Sequence, residues 1–142
     1  MPTSRASRKN NVVIQYAVTR RGVPSPAALR QWARAAGASA LTLRIVGAAE
    51  GRRLNRRYRR KDRATNVLTF ATGDIVLCHP VIRREARAQA KSLAAHYAHM
   101  VVHGCLHLRG YDHEKKRDAA RMEAREVALL RRLGVRNPYT VE

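Results

Sequence analysis

The order of apolar and polar residues along the chain predicts short strands that alternate with helices. A β-branched run over 12–18 and the alternating pattern of Leu41–Val46 are both typical of strands. Two further short runs, 65–70 and 74–78, are separated by an Ala-Thr-Gly connection, which favours a tight turn. The pattern therefore predicts about four strands, the last two joined closely.

Helical periodicity accounts for most of the remaining residues. Ser25 followed by Pro26 is typical of a helix N-terminus, because serine caps the helix and proline fits its first position. Apolar residues at spacings of three and four then turn Trp32 towards the interior. Three further helical stretches are predicted over 48–57, over 80–109, in which Ser92 could cap a second segment, and over 114–133.

These elements predict one domain of the α+β (mixed α/β) class over residues 12–142, with a mixed sheet of about four strands packed with helices. The chain has 142 residues, of which 45% are hydrophobic, enough for a real core. Residues 1–11 are predicted to form a loose basic arm. Two cysteines, Cys78 and Cys105, are too few for a disulfide framework and are expected to be small buried hydrophobes.

The charge composition predicts a polyanionic partner. Lysine and arginine number 29 against 10 acidic residues, a formal net charge of +19. An arginine-rich proteome would explain the preference for arginine over lysine, but not the shortage of acidic residues. Nucleic acid is therefore the first candidate partner. With no apolar run long enough to span a membrane and no signal peptide in 1–11, we expect a cytosolic protein with no membrane partner.

Three histidines with a glycine between the last two form the most specific motif. His103 and His107 are four residues apart, so on a helix both imidazoles lie on one face and can bind one metal ion, as in zincins. Gly110 can end that helix, after which His113 can supply a third ligand. Three ligands leave the fourth position of Zn²⁺ for water, which is the arrangement of a catalytic site.

The residues around the motif restrict its chemistry. Gly104 occupies the position of the general base in H-E-x-x-H metalloproteases, so peptide hydrolysis by that mechanism is not expected. His99 lies one turn before His103 and could line the cleft or contact a substrate. Asp112 could orient a histidine or cap the following helix. Glu126 falls on an inner helical face, where it could pair with an arginine or act behind the metal site.

Two long segments resemble a known family, the YbeY endoribonucleases, or rRNA maturation factors. One segment runs from Leu54–Asp62 into Thr65–Phe70, and the other is His103–His113. The resemblance covers about residues 40–138. It implies a zinc-dependent, single-strand-specific endoribonuclease of the bacterial cytoplasm that acts in 16S rRNA 3′-end maturation and ribosome quality control. The implied partners are single-stranded RNA or rRNA and the ribosome or its proteins.

The resemblance also implies roles for particular residues. The three motif histidines would bind one zinc ion per chain, and Arg59 matches the family's functionally important arginine beside the cleft. Substrate contacts are further expected from Lys61, in the basic run, and from Thr65 and Asn66, which could equally have turn or strand-edge roles. The chain departs from the family in its short connection at Ala71–Thr72, which affects the cleft rim but not the metal.

A function of another class fits the same composition. A non-enzymatic assembly factor could bind rRNA or a ribosomal protein and hold its zinc as a structural ion. A structural site normally has four protein ligands, and His99 or Asp112 could supply the fourth. The motif alone also leaves open nickel or another ion that prefers imidazole.

Overall fold

The elements of the fold follow the predicted order of strands and helices. The structure, a computed structural model, describes residues 11–111 and 115–140. Within those residues the elements are β1 Val12–Tyr16, α1 Pro26–Ala35, β2 Leu41–Val46, α2 Ala48–Arg59, β3 Val67–Phe70, β4 Asp74–Cys78, α3 His79–Ala88, α4 Leu93–Leu108 and α5 Lys116–Arg132. The predicted α+β class is confirmed. Residues 1–10, which make up almost all of the predicted arm, lie outside the described residues.

The sheet is mixed and has the order β1-β2-β4-β3. Strands β1, β2 and β4 are parallel, with Leu43 opposite both Ile14 and Ile75, while β3 pairs antiparallel to β4. Strands β2 and β4 are almost wholly buried, because helices cover both faces of the sheet. Strand β3 is an edge strand, which leaves one side of its backbone available for other contacts.

The main core lies between one face of the sheet and helices α1, α4 and α5. Side chains such as Leu43, Ile75 and Leu106 have no exposed surface there. A smaller cluster on the opposite face joins Val76 and Cys78 to residues of α2 and α3. Helix α4 therefore has the sheet on one side and α5 on another, which places its histidines between elements that are distant in sequence.

Helix boundaries agree closely with their predicted capping residues. Ser25 Oγ accepts a hydrogen bond from Ala28 N at 3.2 Å, and Pro26 is the first residue of α1. The predicted helical stretch over 80–109 is divided into α3 and α4. Ser92 Oγ accepts from Ala95 N at 3.1 Å and so caps the second of them, as the sequence suggested.

The connection between β3 and β4 is a tight turn. Gly73 has a φ of 94° and donates its N–H to Phe70 O at 2.9 Å. Thr72 Oγ1 then donates to Asp74 Oδ2 at 2.6 Å, opposite the strand residue Phe70. A three-residue connection with glycine in the left-handed region is a common way to close a hairpin. The short loop is thus accommodated without disturbing the strand that borders α4.

Both cysteines are buried, as predicted. Burial raises the pKa of the Cys105 thiol to about 12, so it stays protonated and packs as an apolar group. Across 11–111 and 115–140, no helix is both long enough and apolar enough to cross a membrane.

Candidate functional site

Four histidines lie along one face of α4 and become more accessible towards its C-terminal end. His96 and His99 are buried, at 3% and 8% exposure, whereas His103 and His107 are partly exposed. The rings of His103 and His107 are adjacent, with centroids 4.8 Å apart and planes at 76°. The helical pairing of these two predicted metal ligands is therefore present in the structure.

Helix α4 ends where the motif requires it to end. Gly110 follows the last turn with a φ of 97°, a conformation that favours glycine. Arg109 Nη1 donates to Ala36 O at 3.1 Å, which fixes this end of α4 against the end of α1. His113 and Asp112 lie outside the described residues, so their predicted roles as ligand and neighbouring group stay predictions.

Glu126 of α5 is the buried acceptor behind the histidine face. Its carboxylate has no exposed surface. Oε1 accepts from His103 Nδ1 at 2.6 Å, and Oε2 accepts from His99 Nε2 at 3.0 Å. Tyr139 completes the set by donating its hydroxyl to Oε2. The alternative that Glu126 pairs with an arginine is wrong, because this carboxylate faces two imidazoles and a phenol instead.

The hydrogen bonds around Glu126 determine its protonation state. Burial alone raises the pKa of the carboxyl, but donation from His103, His99 and Tyr139 more than offsets this and lowers the pKa to about 2. Burial and the neighbouring carboxylate raise the pKa of Tyr139, so its hydroxyl keeps its proton. At neutral pH the group is a carboxylate that receives hydrogen bonds. His103 must then carry its proton on Nδ1, and would bind a metal through Nε2.

Three of these residues form a group that could hold a metal ion. The ligand atoms of His99, His103 and Glu126 all lie within 4.8 Å of one another. In the structure His99 and His103 are each hydrogen-bonded to a different oxygen of the Glu126 carboxylate. The group could therefore hold a metal ion, and it shares His103 with the predicted ligand pair.

Gly104 is buried because α4 packs directly on the sheet at this residue. A Cβ atom at position 104 would lie 3.1 Å from Ile75 Cγ2 and 3.3 Å from Thr69 Cγ2. A larger side chain here would be tight against the side chains of Ile75 and Thr69, which would have to shift slightly. The glycine that removes the protease base is thus also the residue that allows α4 to approach the sheet.

Arg59 lies at the end of α2, on the exposed side of the edge strand. Its Nη2 donates to Thr69 O at 2.8 Å, and Nη1 to Tyr58 O at 3.3 Å. Because Thr69 also contacts α4 next to Gly104, Arg59 is joined to the histidine helix through one strand residue. The role of Arg59 beside a cleft, which the family resemblance implies, stays a prediction.

The other predicted substrate contacts have different surroundings. Lys61 is exposed and Thr65 is half-buried. Asn66 uses both ends of its amide within the fold, donating to Glu85 Oε1 at 3.1 Å and accepting from Val67 N at 2.7 Å. Contacts of these three residues and of His99 with a substrate stay predictions.

Two contributors to the site gave no signal in the sequence. Tyr139 follows the last helix in a short polar segment without periodicity, yet its hydroxyl reaches Glu126. Glu85 of α3 accepts from His96 Nε2 at 2.8 Å as well as from Asn66, and so joins the start of β3 to α4. Only the packing of elements distant in sequence brings these groups together.

Comparison with known proteins identifies the family. The family model described as Endoribonuclease YbeY matches residues 23–134, most of the chain. The chain belongs to the YbeY endoribonuclease family. The suspected resemblance is therefore confirmed, and membership supports a role as an endoribonuclease, a hydrolase whose substrate is RNA.

Curated relatives match almost the whole chain. Endoribonuclease YbeY of Aromatoleum aromaticum is 50% identical, over 96% of this chain and 97% of that protein. Endoribonuclease YbeY of Nitrosomonas eutropha is 46% identical, over 92% of this chain and 99% of that protein. A Thermotoga maritima protein solved in solution shares the fold at a TM-score of 0.56 and 23% identity, over 84% of this chain and 86% of that one.

Proposed function

We propose that the chain is a zinc-dependent, single-strand-specific endoribonuclease of the cytoplasm that acts in 16S rRNA 3′-end maturation and ribosome quality control. The observation that carries the proposal is the buried Glu126 carboxylate, which holds His103 by Nδ1 at 2.6 Å. A carboxylate that binds one nitrogen of an imidazole and directs the other outward is a recurrent partner of metal-binding histidines.

The proposed ligands of one zinc ion are His103, His107 and His113. The donor set suits zinc, since neutral imidazoles are among its preferred ligands and Glu126 fixes the tautomer of one of them. His99 and Glu126 could also approach an ion directly. Their mutual hydrogen bond at 3.0 Å supports a place behind the ligands instead.

The chemistry that zinc supplies when bound is polarisation of phosphoryl oxygens and activation of water, which needs no carboxylate base at position 104. The chain's own residues then bind and orient the RNA. Arg59 is exposed, and a guanidinium has five N–H donors, of which two are used by Thr69 and Tyr58. We propose that Arg59 binds a non-bridging oxygen of the scissile phosphodiester and stabilises the charge that develops there.

The other predicted residues have supporting roles in this proposal. Lys61 adds positive charge for the RNA backbone, and Thr65, Asn66 and His99 are proposed substrate contacts of lower weight. Asp112 would orient a ligand or cap α5. The rival assembly-factor function requires a fourth protein ligand. His99 Nε2 is bound to Glu126, so only the buried Nδ1 of His99 remains for that position.

The metal and the activity can be tested together with His107→Ala. We expect purified wild-type protein to contain about one zinc per chain by elemental analysis and to cut single-stranded RNA but not the matching duplex. The variant should lose the ion and the cleavage. His79→Gln is the matched control, because His79 lies on α3 and hydrogen-bonds Tyr97, which is not on the histidine face of α4. Undiminished cleavage by His107→Ala would reject the catalytic metal.

The ribosomal role needs a separate experiment. Precursor 30S particles incubated with wild-type protein should acquire the mature 3′ end of 16S rRNA, as mapped by primer-independent end sequencing. His107→Ala protein is the control. Cleavage of free RNA with no change of the precursor particles would exclude the maturation role while leaving the nuclease intact.

A further inference from the structure

An exposed aromatic ring lies beside Arg59 on the rim of the site. Tyr58 is 48% exposed, although only 5% of the chain is aromatic. Within the described residues, Tyr139 is the other large hydrophobic residue with comparable exposure, and its hydroxyl is bound to Glu126. The exposed ring of Tyr58 is not explained by the core or by the proposed chemistry.

Neighbouring groups contact this ring on the protein surface. The Phe70 ring meets it edge to face, with centroids 5.2 Å apart and planes at 80°. The Arg57 guanidinium lies 5.4 Å from the centroid of Tyr58, and that of Arg59 lies 5.6 Å from the centroid of Phe70. We call Arg57, Tyr58, Arg59 and Phe70 the aromatic platform. Two rings between two guanidinium groups give both stacking surface and positive charge.

The arginines of α2 differ in whether they have carboxylate partners. Nearer the start of the helix, Arg52 forms a two-point ion pair with Asp62 at 2.7 and 2.9 Å, and Glu50 pairs with Arg44. Within 11–111 and 115–140, neither Arg57 nor Arg59 has a carboxylate partner. The cations of the platform are thus available to phosphate, whereas Arg52 is paired with Asp62, which Arg56 also approaches at 3.8 Å.

The platform is linked to the histidine helix through β3, although the Phe70 ring packs on the face of the sheet opposite α4. Phe70 follows Thr69, whose carbonyl oxygen accepts from Arg59 and whose methyl group contacts α4 at Gly104. A strand of RNA with one phosphate at Arg59 would therefore place an adjoining nucleotide over these rings. Unpaired bases commonly stack on aromatic side chains, with arginine binding the flanking phosphates.

We propose that Tyr58, supported by Phe70, stacks on one unpaired nucleobase next to the scissile phosphate, with Arg57 binding the backbone beside it. This inference rests on the proposed RNA substrate. It gives a physical reason for selection of single strands, because a base inside a duplex is already stacked and cannot cover the ring. Recognition of this kind tolerates every base, since each has a π-face.

The test compares Tyr58→Leu with Tyr58→Trp in the full-length, zinc-loaded protein. Binding of a fluorescent single-stranded RNA is measured by anisotropy, and a gel checks that the RNA stays intact during the titration. We expect the leucine variant to bind about 10-fold more weakly, the usual scale for loss of one base stack, and the tryptophan variant to bind as wild type. Arg53→Ala, an exposed arginine elsewhere on α2, is the control for general loss of charge.

A second arm moves one abasic nucleotide along the RNA. One position should weaken binding by wild type about 10-fold and leave Tyr58→Leu unaffected, which assigns that base to that ring. Equal affinity of Tyr58→Leu and wild type, or losses that add fully at every abasic position, would overturn the platform. Failure of wild type to bind any single-stranded RNA would instead refute the proposed function.

Discussion

Charge is buried between α4 and α5 but exposed on the rim formed by α2 and β3. Between the helices, one carboxylate without exposed surface receives hydrogen bonds from His103, His99 and Tyr139. On the rim, the Arg52–Asp62 pair is more than half exposed at both side chains, and the remaining arginines face solvent.

The difference separates what orders the site from what binds the substrate. A buried charge is costly to leave unpaired, so the carboxylate and its donors are held in one arrangement. Exposed ion pairs contribute little to stability, and exposed arginines can move to meet a phosphate. Substitutions between α4 and α5, which we call the centre, should therefore alter folding and metal affinity, whereas those at the rim should alter RNA binding and cleavage.

The largest effect is expected for Glu126→Ala. It removes the shared acceptor of His99, His103 and Tyr139, so the free energy of unfolding should fall by about 3–5 kcal/mol and zinc affinity by about 10- to 100-fold. Chemical denaturation and a competitive zinc chelator measure the two quantities. Glu123→Ala, exposed on the same helix, should change neither. A Glu126→Ala variant as stable as the wild type would contradict the proposed difference between centre and rim.

At the rim, Arg59→Ala should lower the rate of RNA cleavage by about 100-fold or more, because a donor to developing phosphoryl charge is lost. Its free energy of unfolding should stay within about 0.5 kcal/mol of wild type, as for other exposed substitutions. Single-turnover cleavage and denaturation are compared with Arg53→Ala. A large loss of stability would show that Arg59 mainly supports the fold through its bond to Thr69.

Tyr139→Phe removes a phenolic hydroxyl from the centre, and Tyr58→Phe removes one from the rim. Loss of the hydrogen bond to the buried carboxylate should cost about 1.5 kcal/mol of unfolding free energy. Loss of the exposed hydroxyl of Tyr58 should cost almost nothing. Thermal unfolding of both variants in parallel tests the contrast, and equal melting temperatures would contradict it.

The smallest effect is a pH dependence at His96. Burial lowers the pKa of this imidazole, against the opposing effect of Glu85, with Lys91 and His99 also nearby. Its folded pKa is below its unfolded value of about 6.5, so its contribution to stability is complete above that pH and is lost as pH falls. Metal-free His96→Gln should therefore lose less stability than wild type between pH 7 and 5. If the free energies of unfolding of wild type and variant, measured with denaturant, fall in parallel with pH, His96 is not responsible for the loss of stability.

Local signals in the sequence were sufficient for the strands, the helix caps and the His103–His107 pair. Ser25, Ser92 and Gly110 each act within a few residues of their own position, which is why pattern alone predicts them. The partner of Glu126 could not be predicted, because it depends on the rotation of α5 against α4. Helical periodicity shows that a residue faces inward but not which residue it meets.

The hydrogen bond from Arg59 to the carbonyl of Thr69 has a consequence for the class of polymer that can bind along β3. Strand β3 is the outer strand of the sheet, and its free side is where an extended peptide would align by pairing amide with carbonyl. The Arg59 side chain already binds the Thr69 carbonyl, which is one of the acceptors that an extended peptide would need. A polynucleotide has no backbone amides and does not need this carbonyl. The guanidinium that blocks a polypeptide can instead bind the phosphates of RNA.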